Sequence, residues 1–335
     1  MTIPMRNKLP EHGIRIPYED LLQFVSDLFT RVGMYRHDAR LLGELLVRSD
    51  MRCVYSHGTR QAPGYLQKIR DGAVNPTPTI TVVSESETTV VLDGDGGLGY
   101  FPAHQATEIA IAKAKKMGVG IATTRNHFHF GAAGHYSRMA VPHKCIGMAV
   151  SAHRYPLDPA STILAASGGS PMSIAFPTSS QPPLVLDMSA SMLPQEQALM
   201  DQYHWVFMKS LGLGVAIQAL GGILAGIWQP ELADPGRSKW ESNQGSFIAV
   251  FNIKNLMQVE EFELGLDHFI RQARKMQPFP GMEKAELPGG MEWHWERESE
   301  ALGVALDAEH REALQNIADE LRVRTPFALF ERNHF

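Results

Sequence analysis

The sequence predicts an α/β fold: a sheet covered by helices, joined to a discontinuous helical subdomain built from both chain ends. Three observations carry this prediction. Apolar residues recur at helical spacing near the two ends, first at Leu21, Leu22, Val25, Leu28, Phe29 and Val32 and again within Asp307 to Leu321. Between these ends, β-branched runs alternate with helical stretches, the pattern of strands packed under helices. The 335 residues, 44% hydrophobic and 20% charged, suffice for one large domain or two ordinary ones with a substantial core.

Pro17 and Gly33 punctuate a helix over Tyr18 to Val32, and Leu41, Leu42, Leu45 and Leu46 repeat the pattern over Asp38 to Ser49. The chain therefore opens with a helical hairpin, followed by a polar, irregular stretch from Met51 to Arg60. Asn75-Pro76-Thr77-Pro78 reads as a linker-like break. Thr79 to Ser84 and Thr88 to Asp93 then read as a β-hairpin. A helix is expected from Pro102 to Met117, a strand over Val119 to Thr124 and a helix over Ala132 to Val141. Further strands are expected at Ile146 to Ala152, Met172 to Phe176 and Leu184 to Asp187. Leu211 to Trp228 reads as a buried core helix, Ser246 to Ile253 as a last strand, and Glu260 to Met276 and Asp307 to Leu321 as closing helices. The expected division is 1–76 with 257–335 for the helical subdomain and 77–256 for the α/β subdomain. There is no internal repeat and no low-complexity tract.

The bulk numbers exclude several function classes. A net charge of −5 leaves no footprint for nucleic acid. Cys53 and Cys145 are far apart, so they form neither a disulfide framework nor a zinc spacing. Met1 to Glu11 is polar with two prolines, unlike a signal peptide. No run is expected to reach the ~20 apolar residues of a membrane span. Together these point to a cytoplasmic protein with reduced thiols.

Four segments carry candidate chemistry. Gly94, Gly96 and Gly99 fit G-x-G-x-x-G by spacing after a strand, but the strand beyond the next helix ends in Thr124 where the dinucleotide fingerprint needs an acid. A flexible turn feeding a helix is the alternative. In Tyr55-Ser56-His57-Gly58-Thr59-Arg60, a histidine suited to proton transfer stands three residues from an arginine able to hold a carboxylate; a solvated turn is the alternative. His127 and His129 are two residues apart, so in extended chain they point the same way, yet no third metal ligand is near in sequence and no metal is expected. Asp187 to Ser191 follows a strand and Lys209 precedes a glycine-containing helix; a capping acid and a helix-start lysine are their ordinary readings.

Taken together the segments form one pattern. Ser56-His57-Gly58-x-Arg60, Gly97-x-Gly99, Asn126-x-x-His129-x-Gly131 with His135-Tyr136, Pro183 to Ser189, Lys209-x-x-Gly212-Leu213 and Leu287-Pro288-Gly289 with Glu292 follow in order from about Tyr18 to Leu321. This resembles the malate/L-sulfolactate/L-lactate dehydrogenase family that lacks a Rossmann fold. The resemblance implies a non-Rossmann, mixed-sheet cofactor domain and a homodimeric, cytoplasmic oxidoreductase. Its cofactor would be NAD or NADP, with no preference readable, and its substrate a small anionic 2-oxo or 2-hydroxy acid. His57 falls on the family's proton donor, Arg60 on a carboxylate clamp and His129 near the reacting centre. Cofactor contacts fall on Asp187, Met188, Ser189, Ala190, Ser191, Met208, Lys209, Gly290, Met291 and Glu292. The same clamp suits a cyclic imino acid, and an inert relative acting as a binding protein is a further alternative.

The chain departs from the family pattern in three places. It has Gly168-Gly169-Ser170-Pro171 where relatives read Gly-Thr-Asn-Pro. His127 stands where relatives carry serine, and the stretch between Asp187 and Lys209 is short.

Overall fold

The computed structural model describes residues 7–233 and 240–335, so the first six residues of the polar N-terminal stretch lie outside it. In chain order the elements are β1 (Ile14–Ile16), α1 (Tyr18–Arg31), α2 (Arg36–Met51), α3 (Ala62–Arg70), β2 (Thr81–Glu85), β3 (Thr89–Asp93) and α4 (Tyr100–Met117). There follow β4 (Val119–His127), α5 (Ala133–Met139), β5 (Cys145–His153), β6 (Pro171–Phe176), β7 (Leu184–Ser189), α6 (Gln197–Gln202), α7 (His204–Ile217) and α8 (Pro230–Ala233). The chain closes with β8 (Gln244–Asn252), α9 (Val259–Ala273), α10 (Gly290–Leu302), β9 (Val304–Leu306) and α11 (Ala308–Leu321).

The chain divides into two compact units, residues 1–77 with 290–335, and residues 78–289. In the first, α1 turns Leu21, Leu22, Val25, Leu28 and Phe29 inward, and α2 does the same with Leu42, Leu45 and Leu46. Gly43 lets the two helices close: a Cβ there would meet Leu22 Cδ1 and Ser26 Oγ, each at 2.9 Å. The three-residue strands β1 and β9 pair antiparallel, Ile14 with Leu306 and Ile16 with Val304, and stitch the two chain ends together.

The second unit is a seven-stranded sheet in the order β2-β3-β4-β8-β5-β6-β7. Only β3 and β4 run parallel, with α4 as their crossover; every other pair is antiparallel. A doubly wound dinucleotide fold needs a mostly parallel sheet, so this one is of a different kind. The core lies where α4 packs its alanine row (Ala103, Ala106, Ala110, Ala114) against Val90, Leu92, Ala122, Ala149, Ile248 and Val250 of the strands.

The first division falls inside the expected linker, but the second falls at Gly290 rather than at 257. The reason is α9, which buries Glu263 and Asp267 beside Ile270. Asp267 accepts the backbone N–H groups of Ser179, Ser180 and Gln181 and the Ser180 hydroxyl, at 2.6–3.3 Å. Lys144 pairs with Glu263, and Arg274 bonds both Gln181 and Glu286. Burial works to raise the Asp267 pKa, but those four hydrogen bonds outweigh it and hold the carboxyl below its usual range. These bonds tie α9 to the sheet unit.

The expected buried helix over Leu211 to Trp228 is corrected in two respects. It begins earlier, at His204, and runs through α7 into a π-helical turn at Gln218–Ile223. Only one side is buried: Gly214 packs on Ser167, and Gly221 on Ser151 and Ala152. Outward, Val215, Ile223 and Leu224 are 45%, 66% and 60% exposed, with Trp205 and Met208 also open. A helix that is apolar all round does not reveal from its sequence which face is covered. By length and composition alone, the 20 residues His204–Ile223 meet the requirement for a membrane span, against the expectation that no run would.

Candidate active site

In the helical unit, the stretch after α2 folds into two short 3₁₀ turns, Tyr55–His57 and Thr59–Gln61. The His57 N–H donates to Val54 O at 2.9 Å, and Gln61 Nε2 donates to Ser56 O at 2.8 Å. The His57 Nδ1 lies 3.0 Å from Ser56 Oγ. With Nδ1–H donating to the serine hydroxyl, the ring can carry a second proton on Nε2 as the imidazolium, the form that gives a proton.

Below this turn lies a buried polar cluster that the sequence reading missed. Asp50, at the end of α2, is fully buried; its Oδ2 accepts the Thr59 N–H at 3.0 Å and the Thr59 hydroxyl at 2.6 Å. The same hydroxyl lies 2.8 Å from Nε2 of buried His310 on α11. Burial pushes the Asp50 carboxyl up to about 7, against the Thr59 hydrogen bonds and the Arg60 charge. The folded chain therefore keeps this proton up to about pH 7, whereas an ordinary carboxyl loses it near 3.8, so the group costs stability as pH rises through that window. His310 moves oppositely: burial and then Arg60 push it down to about 3, so acidification from 6.5 toward 3 costs stability.

Arg60 is not an open side chain. Its Nη2 donates to Asp307, the residue whose carboxylate caps α11 by accepting the His310 N–H at 2.8 Å. The guanidinium also lies 5.7 Å from the Tyr55 ring centroid, and its Nε is buried without a hydrogen bond.

In the sheet unit, the glycine turn after β3 is not a phosphate cradle. Its N–H groups are used internally: Gly94 N donates to Arg125 O, Gly96 N to Asn126 O, and Gly99 N to both Phe128 O and His129 O. A Cβ on Gly99 would meet His127 Nδ1 at 2.5 Å and Phe128 O at 2.7 Å; one on Gly94 would meet His127 Cβ at 2.8 Å. The glycines thus make room for the chain's own 127–130 segment, and that segment carries His129. Gly131, at φ +79°, closes it against the Tyr100 ring, while the Tyr136 hydroxyl donates to Phe130 O.

His127 and His129 do not act as a pair. His127 is fully buried, with Nδ1 2.7 Å from Phe128 O and Nε2 2.8 Å from Thr124 Oγ1. Burial pushes it down to about 4, against the Phe128 carbonyl and the Asp93 charge, so it stays neutral and structural. Among the described residues no group of three metal-ligating side chains is found.

The same unit brings together two of the three proposed cofactor segments. Ser189 Oγ donates to Gly169 O at 3.0 Å and accepts the Ser191 N–H at 3.2 Å, and Met192 N donates to Ser210 Oγ at 3.4 Å. Ala190 is buried, whereas Met208 and Lys209 are exposed on α7. Lys209 stands in the second turn of that helix rather than at its start, and its ammonium lies 5.2 Å from the Trp205 ring centroid. It makes no ion pair among the described residues, and Ser191 is exposed as well; an ammonium and a serine hydroxyl are donors of the kind that suit phosphate. Asp187, though exposed, is engaged within the chain: it accepts the Gly134 N–H at 3.1 Å, and a Cβ at Gly134 would fall 2.1 Å from that carboxylate. Met188 lies within β7. Gly290, Met291 and Glu292 open α10, in the helical unit.

Gln218, in the π-helical turn, was also missed. Its Nε2 reaches Ser170 Oγ at 3.3 Å and His153 O at 3.4 Å, while its Oε1 is buried without a partner.

A family model described as malate/L-lactate dehydrogenase matches residues 16–204, more than half the chain. Malate dehydrogenase of Pyrococcus horikoshii is 28% identical, over 93% of this chain and 97% of its own. L-sulfolactate dehydrogenase of Methanocaldococcus jannaschii is 27% identical, over 90% and 96%. The solved structure of the Pyrococcus horikoshii malate dehydrogenase superposes with a TM-score of 0.83 at 27% identity, covering 95% of this chain and 98% of the other.

Proposed function

Because the chain belongs to the malate/L-lactate dehydrogenase family and is an oxidoreductase of that kind, we propose that it interconverts a small 2-oxo acid and its 2-hydroxy acid using NAD(H) or NADP(H). The observation that carries the reading is the Ser56–His57 turn, whose 3.0 Å contact sets the imidazole up as a proton donor. His57, as the imidazolium, gives its Nε2 proton to the oxygen of the substrate carbonyl as the alkoxide develops, and as the neutral imidazole it takes the proton back in the reverse direction. Arg60, steadied by Asp307 and Tyr55, binds the substrate carboxylate through its remaining N–H groups. His129 orients the carbonyl. The nicotinamide supplies the hydride when bound. Ser189, Ser191 and Lys209 would hold its phosphates and ribose, and Asp187, Met188, Ala190, Met208, Gly290, Met291 and Glu292 are the further contacts proposed for it.

The reading includes a cytoplasmic homodimer. The exposed apolar face of α7 and the π-helical turn after it supports it, since a second copy seated there by a two-fold axis would cover Val215, Ile223 and Leu224. One observation favours a second reading, an inert relative that only binds a partner: Asp187 and Ser189 are already engaged within the chain.

Titration with NADH and with NADPH separates the two. Trp205 stands beside Lys209, so binding of either cofactor is expected to quench tryptophan emission. Light scattering on the same sample is expected to give twice the 37.1 kDa chain mass. Quenching by neither cofactor would favour the inert reading. A mass near 37 kDa with full activity would remove the dimer.

A further inference from the structure

We propose that Asp50 is a positioning residue for His57: its buried carboxyl group, reaching from α2, seats the Gly58–Thr59 backbone and, through the Thr59 hydroxyl, joins the His57 turn to His310 on α11. The proposal rests on the reading of His57 as the proton donor and names what holds that donor in place.

The geometry is that of a matched pair. A Cβ on Gly58 would fall 1.7 Å from Asp50 Oδ1, so the acid fills the space that any side chain at position 58 would need. The turn's other backbone bonds are local: His57 N to Val54 O, Gly58 N to Tyr55 O and Gln61 N to Gly58 O. They fold the turn but do not fix it to a helix. The two bonds from Thr59 to Asp50 do, and the Thr59 hydroxyl extends them to a second helix. Position 50 is therefore occupied by an acceptor able to take two hydrogen bonds on one oxygen, which no apolar side chain can do.

An acid here is otherwise hard to explain. Thr59 and Arg60 from the turn act on it, and it acts on Cys53 and Tyr55 from the segment after α2; His310 of α11 is reached through Thr59, with the capping Asp307 acting on His310, and Arg15 and Glu298 act on Cys53. Arg60 is the nearest cation, and Asp307 already engages it. Asp50 Oδ1, Arg60 Nε and His310 Nδ1 are all buried without hydrogen bonds. An unpaired buried acid is expensive, so what it contributes is its acceptor oxygen, and asparagine supplies the same acceptor.

The test uses the full chain in four forms, Asp50→Ala, Asp50→Asn, Thr59→Val and His57→Ala. Turnover per folded molecule is measured together with the His57 imidazole resonance across pH by ¹³C-histidine NMR. Misplacing a catalytic group by about 1 Å costs about 10²-fold in rate, so Asp50→Ala and Thr59→Val are expected to lower kcat by that order. They should also shift the His57 resonance and its titration while leaving nicotinamide binding in place. Asp50→Asn is expected to recover most of what Asp50→Ala loses. If Asp50→Ala does not fold, Thr59→Val, of nearly the same shape, decides. Wild-type kcat per folded molecule and an unshifted His57 resonance in Thr59→Val would overturn the proposal. Full turnover in His57→Ala would instead overturn the functional reading, and the NMR comparison would still report whether Asp50 seats the ring.

Discussion

Replacing His57 with alanine is expected to lower kcat for 2-oxo acid reduction by about 10²–10⁴-fold, the usual contribution of a positioned acid. Nicotinamide binding is expected to stay close to that of the unaltered protein. The separation follows from where the residues lie. His57 belongs to the helical unit, whereas most of the proposed cofactor contacts, from Asp187 to Ser191 and at Met208 and Lys209, belong to the sheet unit. A loss of transition-state interaction lowers kcat and kcat/KM together. Steady-state kinetics with a parallel fluorescence titration reads both quantities. Near-normal turnover on the best substrate would remove His57 from the chemistry.

The second large effect is expected from Gly99→Ala. A methyl group there would stand 2.5 Å from His127 Nδ1, 2.7 Å from Phe128 O and 2.7 Å from Phe130 Cβ. The first belongs to a buried, hydrogen-bonded imidazole and the second to backbone, so neither can yield cheaply. Overpacking of this kind costs about 1–3 kcal/mol, read as a shift in the urea midpoint. Because the Gly99 N–H donates to Phe128 O and His129 O, the same variant should also displace His129 and lower turnover of the protein that remains folded. Wild-type stability together with wild-type kcat would mean that the glycine turn does not hold the His129 segment.

Helices with one apolar stripe were legible in the sequence. The expected helices over Tyr18 to Val32 and Asp38 to Ser49 match α1 and α2 to within two residues, and α11 begins where Asp307 was placed. What pairs across the whole chain was not. β1 and β9 are three residues each, too short for a period-2 signal, and their partners are nearly 300 positions apart. α3 and α10 were also passed over. The glycine turn had the spacing of a dinucleotide fingerprint, but spacing does not say whether open space or the chain's own His127 faces those glycines.

The buried polar residues left a signal that went unread. Asp50 follows Leu42 and Leu46 at four-residue steps along the buried face of α2, and His310 precedes Leu314, Ile317 and Ala318 on that of α11. A polar residue on an apolar stripe has to be hydrogen-bonded to be tolerated, which makes each a candidate for a specific role. In α9 the stripe misleads in the opposite direction: Glu263 and Asp267 are buried, while Leu264 and Phe269 lie open. The polar groups that claim the inner face of α9, Lys144 and the 179–181 backbone, belong to distant parts of the sequence.

Oxidation of NADH and of NADPH is to be followed spectrophotometrically with a panel of pyruvate, oxaloacetate, 2-oxo sugar acids and cyclic imino acids. At least one open-chain 2-oxo acid is expected to be reduced, with one of the two cofactors, and His57→Ala is expected to abolish most of that rate. Reduction of the cyclic imino acids alone would correct the substrate class. Folded protein that oxidises neither cofactor with any member of the panel would overturn the assignment of a 2-oxo acid reductase.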